Sequence, residues 1–294
     1  MARVNSRISR AAACAALAAG MSACGASDRL AARSMRDVLL AARPAQLDEP
    51  DFDLAREAAP AQLEMVRALL ASAPRDRGLL RMAEEGFAGA AFLFYEDVSP
   101  ARAKGLYRRG RDYALRALAL KPGLRGLDAM TPDAAAKALA LADGDDAPDL
   151  FWAAFCWAGE INLSRDDPAR LAELPRALAL MTRAEQLDAG YHFHGADLFF
   201  GVYYASRPAI LGGDPKRALA HFESARKALG GRYLMTDVLE ARWYAVAVQD
   251  KDLYRRLLES VVQAPAGSLP EARLTDEAAK RKAAALLEKT DDYF

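Results

Sequence analysis

The residues with chemistry to offer are few. The chain has three histidines, and two of them, His192 and His194, flank Phe193, with Asp197 following. A His-x-His-x2-Asp run offers the ligand types that hold zinc, but a closed site needs three or four donors converging from suitable directions. Three donors on one short stretch do not meet that need. The run reads as a loop entering a helix, with Asp197 in the first turn and no metal. His221 falls on a helix whose pattern is otherwise packing and solvent, and needs no special role. Carboxylate pairs occur at Glu84-Glu85, Asp145-Asp146, Asp166-Asp167 and Asp291-Asp292. Neighbours on a helix point about 100° apart, so none is by itself an acid–base couple. There is no P-loop, no dinucleotide-binding glycine motif and no nucleophile elbow. No catalytic residue, cofactor or enzymatic activity is expected.

Aromatic residues are unevenly spread. Fifteen of the 24 fall between residues 151 and 254, so this stretch carries the binding chemistry if any does. Trp152, Phe155, Phe199, Phe200, Tyr203, Tyr204, Trp243 and Tyr244 sit on three predicted helices. They read either as ordinary core or as the lining of an apolar cavity with tyrosine hydroxyls as polar anchors. Arg207, just before Pro208, either caps the last carbonyls of its helix or meets a carboxylate ligand. Cys156 stands in an aromatic setting, where a buried inert thiol is expected. The basic group Arg108, Arg109 and Arg111 reads as a solvated face or as a docking patch for an acidic partner.

The elements that must position these groups are helices. Ala, Leu, Arg and Glu are common, Val, Ile and Thr are scarce, and no run alternates with period two. Ser99-Pro100, Thr131-Pro132, Asp167-Pro168 and Asp214-Pro215 each place a short polar residue before a proline. That pattern starts helices, because proline at the first position has no N–H to leave unpaired. Lys121-Pro122-Gly123 and Gly230-Gly231 end helices. The resulting pattern predicts helices over 30–43, 52–73, 76–97, 100–121, 132–142, 148–163, 168–188, 195–207, 215–229, 233–248, 251–263 and 271–290.

The spacing of the starts is that of a helix pair per unit, which points to repeats. Ala218, Phe222 and Ala225 give the small-large-small pattern of the second helix of a tetratricopeptide repeat. Ala177, Met181 and Ala184 fit with Met in place of Phe, and Gly110, Ala114 and Ala117 fit loosely. The fold class expected is all-α, with tetratricopeptide-like helical hairpins stacked as a solenoid or bundle; a generic helical bundle is the alternative.

The first residues carry a different message. Arg3, Arg7 and Arg10 precede a short alanine-rich apolar stretch of about ten residues, well short of the roughly 20 that span a bilayer. Residues 1–23 read as a signal peptide. Met21-Ser22-Ala23-Cys24 resembles a bacterial lipobox, which implies lipid on Cys24; an ordinary secretory signal is the alternative. Gly25, rather than Asp, follows Cys24, which favours the periplasmic face of the outer membrane over the inner one. The division expected is 1–23 leader, 24–34 lipid-anchored tether, and 35–294 one helical-repeat domain. The charge without the leader is near −3, which argues against nucleic acid as a partner.

From about residue 80 onward the chain resembles a known family. The similarity is carried by Phe155-Cys156-Trp157-Ala158-Gly159-Glu160-Ile161-Asn162 and by Gly195-Ala196-Asp197-Leu198-Phe199-Phe200-Gly201-Val202-Tyr203-Tyr204-Ala205-Ser206-Arg207-Pro208. Leu211-Gly212-Gly213-Asp214-Pro215 and the segment from Ala241-Arg242-Trp243-Tyr244 to Asp250 complete it. Together they resemble the TatT family, tetratricopeptide-repeat lipoproteins associated with tripartite ATP-independent periplasmic (TRAP) transporters. The resemblance implies a periplasmic lipoprotein that docks the transporter's solute-binding protein. It also implies a homotrimer, and an internal cavity or pore for a small hydrophobic ligand; the second reading of Arg207 adds a carboxylate ligand. A periplasmic scaffold lipoprotein binding some other protein, unconnected with transport, is the alternative function.

Overall fold

The computed structural model describes residues 27–294. The leader and Cys24 lie outside the described residues. Every regular element among those described is helical. The first helix, α1, covers 27–47, so residues 27–34, expected within the tether, are helical and bury Ala32. Then come α2 (Phe52–Ser72), α3 (Arg77–Gly89), α4 (Pro100–Leu118), α5 (Pro132–Leu139), α6 (Ala147–Asn162) and the short α7 (Pro168–Leu171). They are followed by α8 (Leu174–Leu187), α9 (Tyr191–Ala205), α10 (Pro215–Ala228), α11 (Met235–Leu239), α12 (Lys251–Gln263), α13 (Arg273–Glu288) and α14 (Thr290–Tyr293). The single helix expected over 168–188 is thus two.

All four proline starts occupy the first turn of a helix. Thr131, Asp167 and Asp214 accept backbone hydrogen bonds as caps, whereas Ser99 makes none with its side chain. Gly230 and Gly231 both take positive φ where α10 ends.

Two helices contain a wide turn that the periodicity did not announce. α3 runs on through a π-helical turn at Ala90–Tyr95, and α11 through one at Glu240–Ala245. Such turns are rare and recur at functional sites.

Successive helices pack as antiparallel neighbours: α3 on α4, α4 on α6, α6 on α8, α9 on α10, and α12 on α13. Small residues allow the close approach. Ala218 and Ala225 are fully buried beside Phe222, whose ring sits against the backbone of α9 at Gly201; a β-carbon there would lie 2.9 Å from the ring. Ala177, Met181, Ala184, Gly110, Ala114 and Ala117 are buried as well.

The array does not stay open. α13 packs back on α2 and on the Ala90–Tyr95 turn, and Arg281 bonds Asp53 at 2.9 Å across 228 residues of sequence. Asp97 takes Arg242 at 2.8 Å and also Lys282. Burial alone would raise the Asp97 pKa, but these two cations hold it below the usual range. The closure leaves two apolar cores. One gathers Phe87, Phe222, Met235, Tyr254 and Leu258; the other gathers Tyr107, Leu150, Trp157 and Met181.

Candidate functional site

A cavity of about 940 Å³ is lined by residues of both cores and of α1, α2, α3, α6 and α9. Six of the nine residues singled out from sequence line it: Trp152, Phe155, Phe199, Tyr203, Arg207 and Trp243. The other three do not. Phe200 is buried, and it and Tyr204 pack their rings against His221 instead. Tyr244 lies against the first core. On a helix, residues adjacent in sequence point to different faces, so Phe199-Phe200, Tyr203-Tyr204 and Trp243-Tyr244 each supply one ring to the cavity and one elsewhere.

The aromatic wall is built on α6 and the start of α9. Phe151 stacks on Phe155 with ring centroids 6.0 Å apart, and Trp152 meets Phe155 edge-on at 5.6 Å. The Trp152 indole donates to the Tyr191 hydroxyl at 2.9 Å. His192 lies edge-on against Trp152 at 4.6 Å, and its burial lowers its pKa to about 4, so it is neutral near pH 7. The two π-turns contribute Phe92, Leu93 and Phe94 from one and Arg242 with Trp243 from the other.

Near Trp243 the wall gathers three arginines. Arg165 lies 5.0 Å from the Trp243 ring centre and Arg242 5.4 Å from it. Arg207 lies 4.5 Å over Tyr203 and donates to the Tyr203 carbonyl and to the Ser206 hydroxyl, both at 3.2 Å. Arg207 thus reaches a carbonyl of its own helix and also lines the cavity. Arg242 has Asp97. Among the described residues neither Arg165 nor Arg207 pairs with a carboxylate, and Arg165 instead donates to the Asn162 side chain at 2.9 Å. Burial and the Arg242 charge lower the Arg165 pKa. Burial and the Arg165 charge lower that of Arg207 against an opposing effect of Tyr203. Glu96 acts on Arg165 and Arg242 as well, whereas Arg207 faces no carboxylate partner among the described residues.

Arg165 carried no sequence signal, and Arg242 only its place in a segment of the family resemblance. The basic group on α4 resolves differently. Arg108 and Arg111 both bond the buried Glu160, at 2.7 and 2.9 Å, so they anchor α4 to α6. Cys156 is a buried free thiol, its pKa raised well above the ordinary value by burial first and the Glu84 charge second.

Glu84, one of the paired carboxylates in the sequence, takes a setting the pairing did not suggest. It is fully buried at the cavity wall, and no donor reaches either carboxylate oxygen. Burial first, and then Asp149, raise its pKa well above the ordinary 4.5. Asp149 is itself held by Arg77 at 2.9 Å and Arg81 at 2.7 Å. A carboxyl whose pKa is higher in the folded than in the unfolded chain stabilises below the unfolded value. That stability is lost as pH rises through the folded value. Glu84→Gln, which imitates the protonated group, is therefore expected to stabilise the fold by about 1–3 kcal/mol at pH 8 and to be near neutral at pH 4.5. Urea denaturation at the two pH values measures this; equal effects at both would refute it.

No curated protein matches the chain in sequence. A family model described as TRAP transporter T-component (TAtT) matches residues 48–294. That span covers more than four fifths of the chain and includes every residue of the aromatic wall and the arginine corner, and the chain belongs to the TRAP transporter T-component family.

Proposed function

We propose that this T-component is a periplasmic lipoprotein adaptor. It docks the solute-binding protein of a TRAP transporter on its helical repeats and holds, in its cavity, an amphipathic solute with an anionic head. Family membership supports the link to transport. The observation that carries the ligand reading is the cavity itself. An aromatic wall would take an apolar body, and Arg165, Arg207 and Arg242 would take a carboxylate. Lipid on Cys24 would hold the protein at the membrane, facing the periplasm and favouring the outer membrane. A trimer is the assembly that the family resemblance implies.

The test is native mass spectrometry of the full chain in detergent, alone and with a panel of TRAP solute-binding proteins. A multimer that takes up such a protein is the expected result, and capture of none of the panel would sink the docking reading. The ligand reading is tested by titration with a long-chain carboxylate and with the matching alcohol. Arg165→Leu should weaken the carboxylate about tenfold, near the worth of one charged hydrogen bond, and leave the alcohol unchanged. Equal losses for both ligands would exclude anion recognition at this corner.

A further inference from the structure

Away from the cavity, we propose that Glu185, His194, Asp197 and His221 form a site for one divalent transition-metal ion, zinc by the chemistry of the donors. Glu185 comes from α8, His194 and Asp197 from the start of α9, and His221 from α10. One ligand atom each of Glu185, Asp197 and His221 lie within 4.8 Å of one another. His221 Nδ1 is 2.8 Å from one Asp197 oxygen, and His194 Nδ1 is 3.6 Å from the other, which also accepts from Ser224 at 3.0 Å. The converging donors, one imidazole and two carboxylates, suit zinc's nitrogen and oxygen preferences, and His194 beside Asp197 would move in to complete four-fold coordination.

Three further observations favour an ion over a chance meeting of polar groups. First, the chain has only three histidines, and two of them converge on one carboxylate from different helices. Second, charge is unbalanced. Two carboxylates face each other, and among the described residues no side chain pairs with Glu185. A dication would neutralise the pair.

Third, His194 reaches Asp197 through an unusual backbone. His192, Phe193 and His194 are consecutive left-handed residues, with φ of 49°, 58° and 55°. Each costs about 1–2 kcal/mol for an L-residue, and strain of this kind persists where surrounding bonds hold it, often at functional sites. Part of the hold is visible: Phe193 stacks on Tyr233 at 4.6 Å. A metal bond to His194 would supply more.

Phe200 and Tyr204, which the cavity does not use, find their place here. Their rings stand 5.5 and 5.7 Å from that of His221 and set its plane. The ion would also fix the segment whose other end puts His192 into the cavity wall.

The experiment uses the full chain made without a polyhistidine tag and stripped with chelator. Zinc is titrated by calorimetry, and cobalt(II) serves as a spectroscopic substitute. One zinc per chain is expected, with the visible absorption of four-coordinate cobalt. Glu185→Gln should weaken zinc about tenfold or more, and His221→Gln should abolish the cobalt spectrum. Glu185→Gln is the cleaner variant, since it removes no hydrogen bond present in the structure; unchanged circular dichroism would confirm its fold. No saturable zinc binding, or equal binding by the wild type and both variants, would overturn the proposal.

Discussion

Phe222→Ala is expected to destabilise the fold by about 3–5 kcal/mol, the upper range for a buried aromatic cut to a methyl. The side chain is completely buried between α10 and α9. Its neighbours cannot fill the space it leaves. Ala218 and Ala225 flank it on its own helix, and Gly201 opposite has no side chain at all. The cost therefore combines lost apolar burial with a cavity that cannot collapse without shifting two helices. Guanidinium denaturation should show a lower midpoint with an unchanged slope. A loss under about 1 kcal/mol would mean that α9 and α10 close over the gap, and that the small-large-small pattern is less tightly packed than it looks.

Gly213→Ala is expected to cost about 1–3 kcal/mol, the range for forced overpacking, although it adds one methyl at a half-buried turn. The added carbon would stand 1.8 Å from the Arg207 carbonyl oxygen and 2.6 Å from its carbonyl carbon. Both are backbone atoms, so the turn from Arg207 to Asp214 must move. That turn is tied by Gly213 N–H to the Pro208 carbonyl at 3.1 Å and by Asp214 N–H to the Tyr204 carbonyl at 3.0 Å. Moving it displaces Arg207 from the cavity. The variant should accordingly lose thermal stability and carboxylate affinity together. Stability lost with affinity intact would show that Arg207 serves only as a helix cap.

The contrast between these two sites shows what was legible in the sequence. Ala218, Phe222 and Ala225 could be read because their spacing on one helix is itself the reason they are buried. The proline starts could be read because a cap is a local bond between residues two or three apart. Gly213 could be seen only as a turn, since its tight contact depends on how residues 207 and 208 fold back. The cavity was half legible. Aromatic enrichment located Trp152, Phe155 and Phe199, but side-by-side rings could not be divided between cavity and core without the helix faces. Arg165, Arg242 and Glu84 acquire their settings from contacts between helices distant in sequence, and no local pattern records those contacts. The pairing of the histidines was not legible either, because it runs between neighbouring helices. His192, His194 and Asp197 were weighed as a linear group, whereas Asp197 finds its nearer partner, His221, on another helix.

The two π-turns at Ala90–Tyr95 and Glu240–Ala245 carry a consequence for how such a chain varies among its descendants. A π-turn holds one residue more than the α-turn it replaces. Losing that residue would heal the helix and should make it locally more regular. It would leave the turns on either side in register but redistribute the residues within the wide turn, carrying Phe94 or Trp243 out of the wall. Deletions that regularise these helices would thus be tolerated by folding and punished by function. Lineages that still use the cavity should keep both extra residues, and lineages that have abandoned it should be free to shed them.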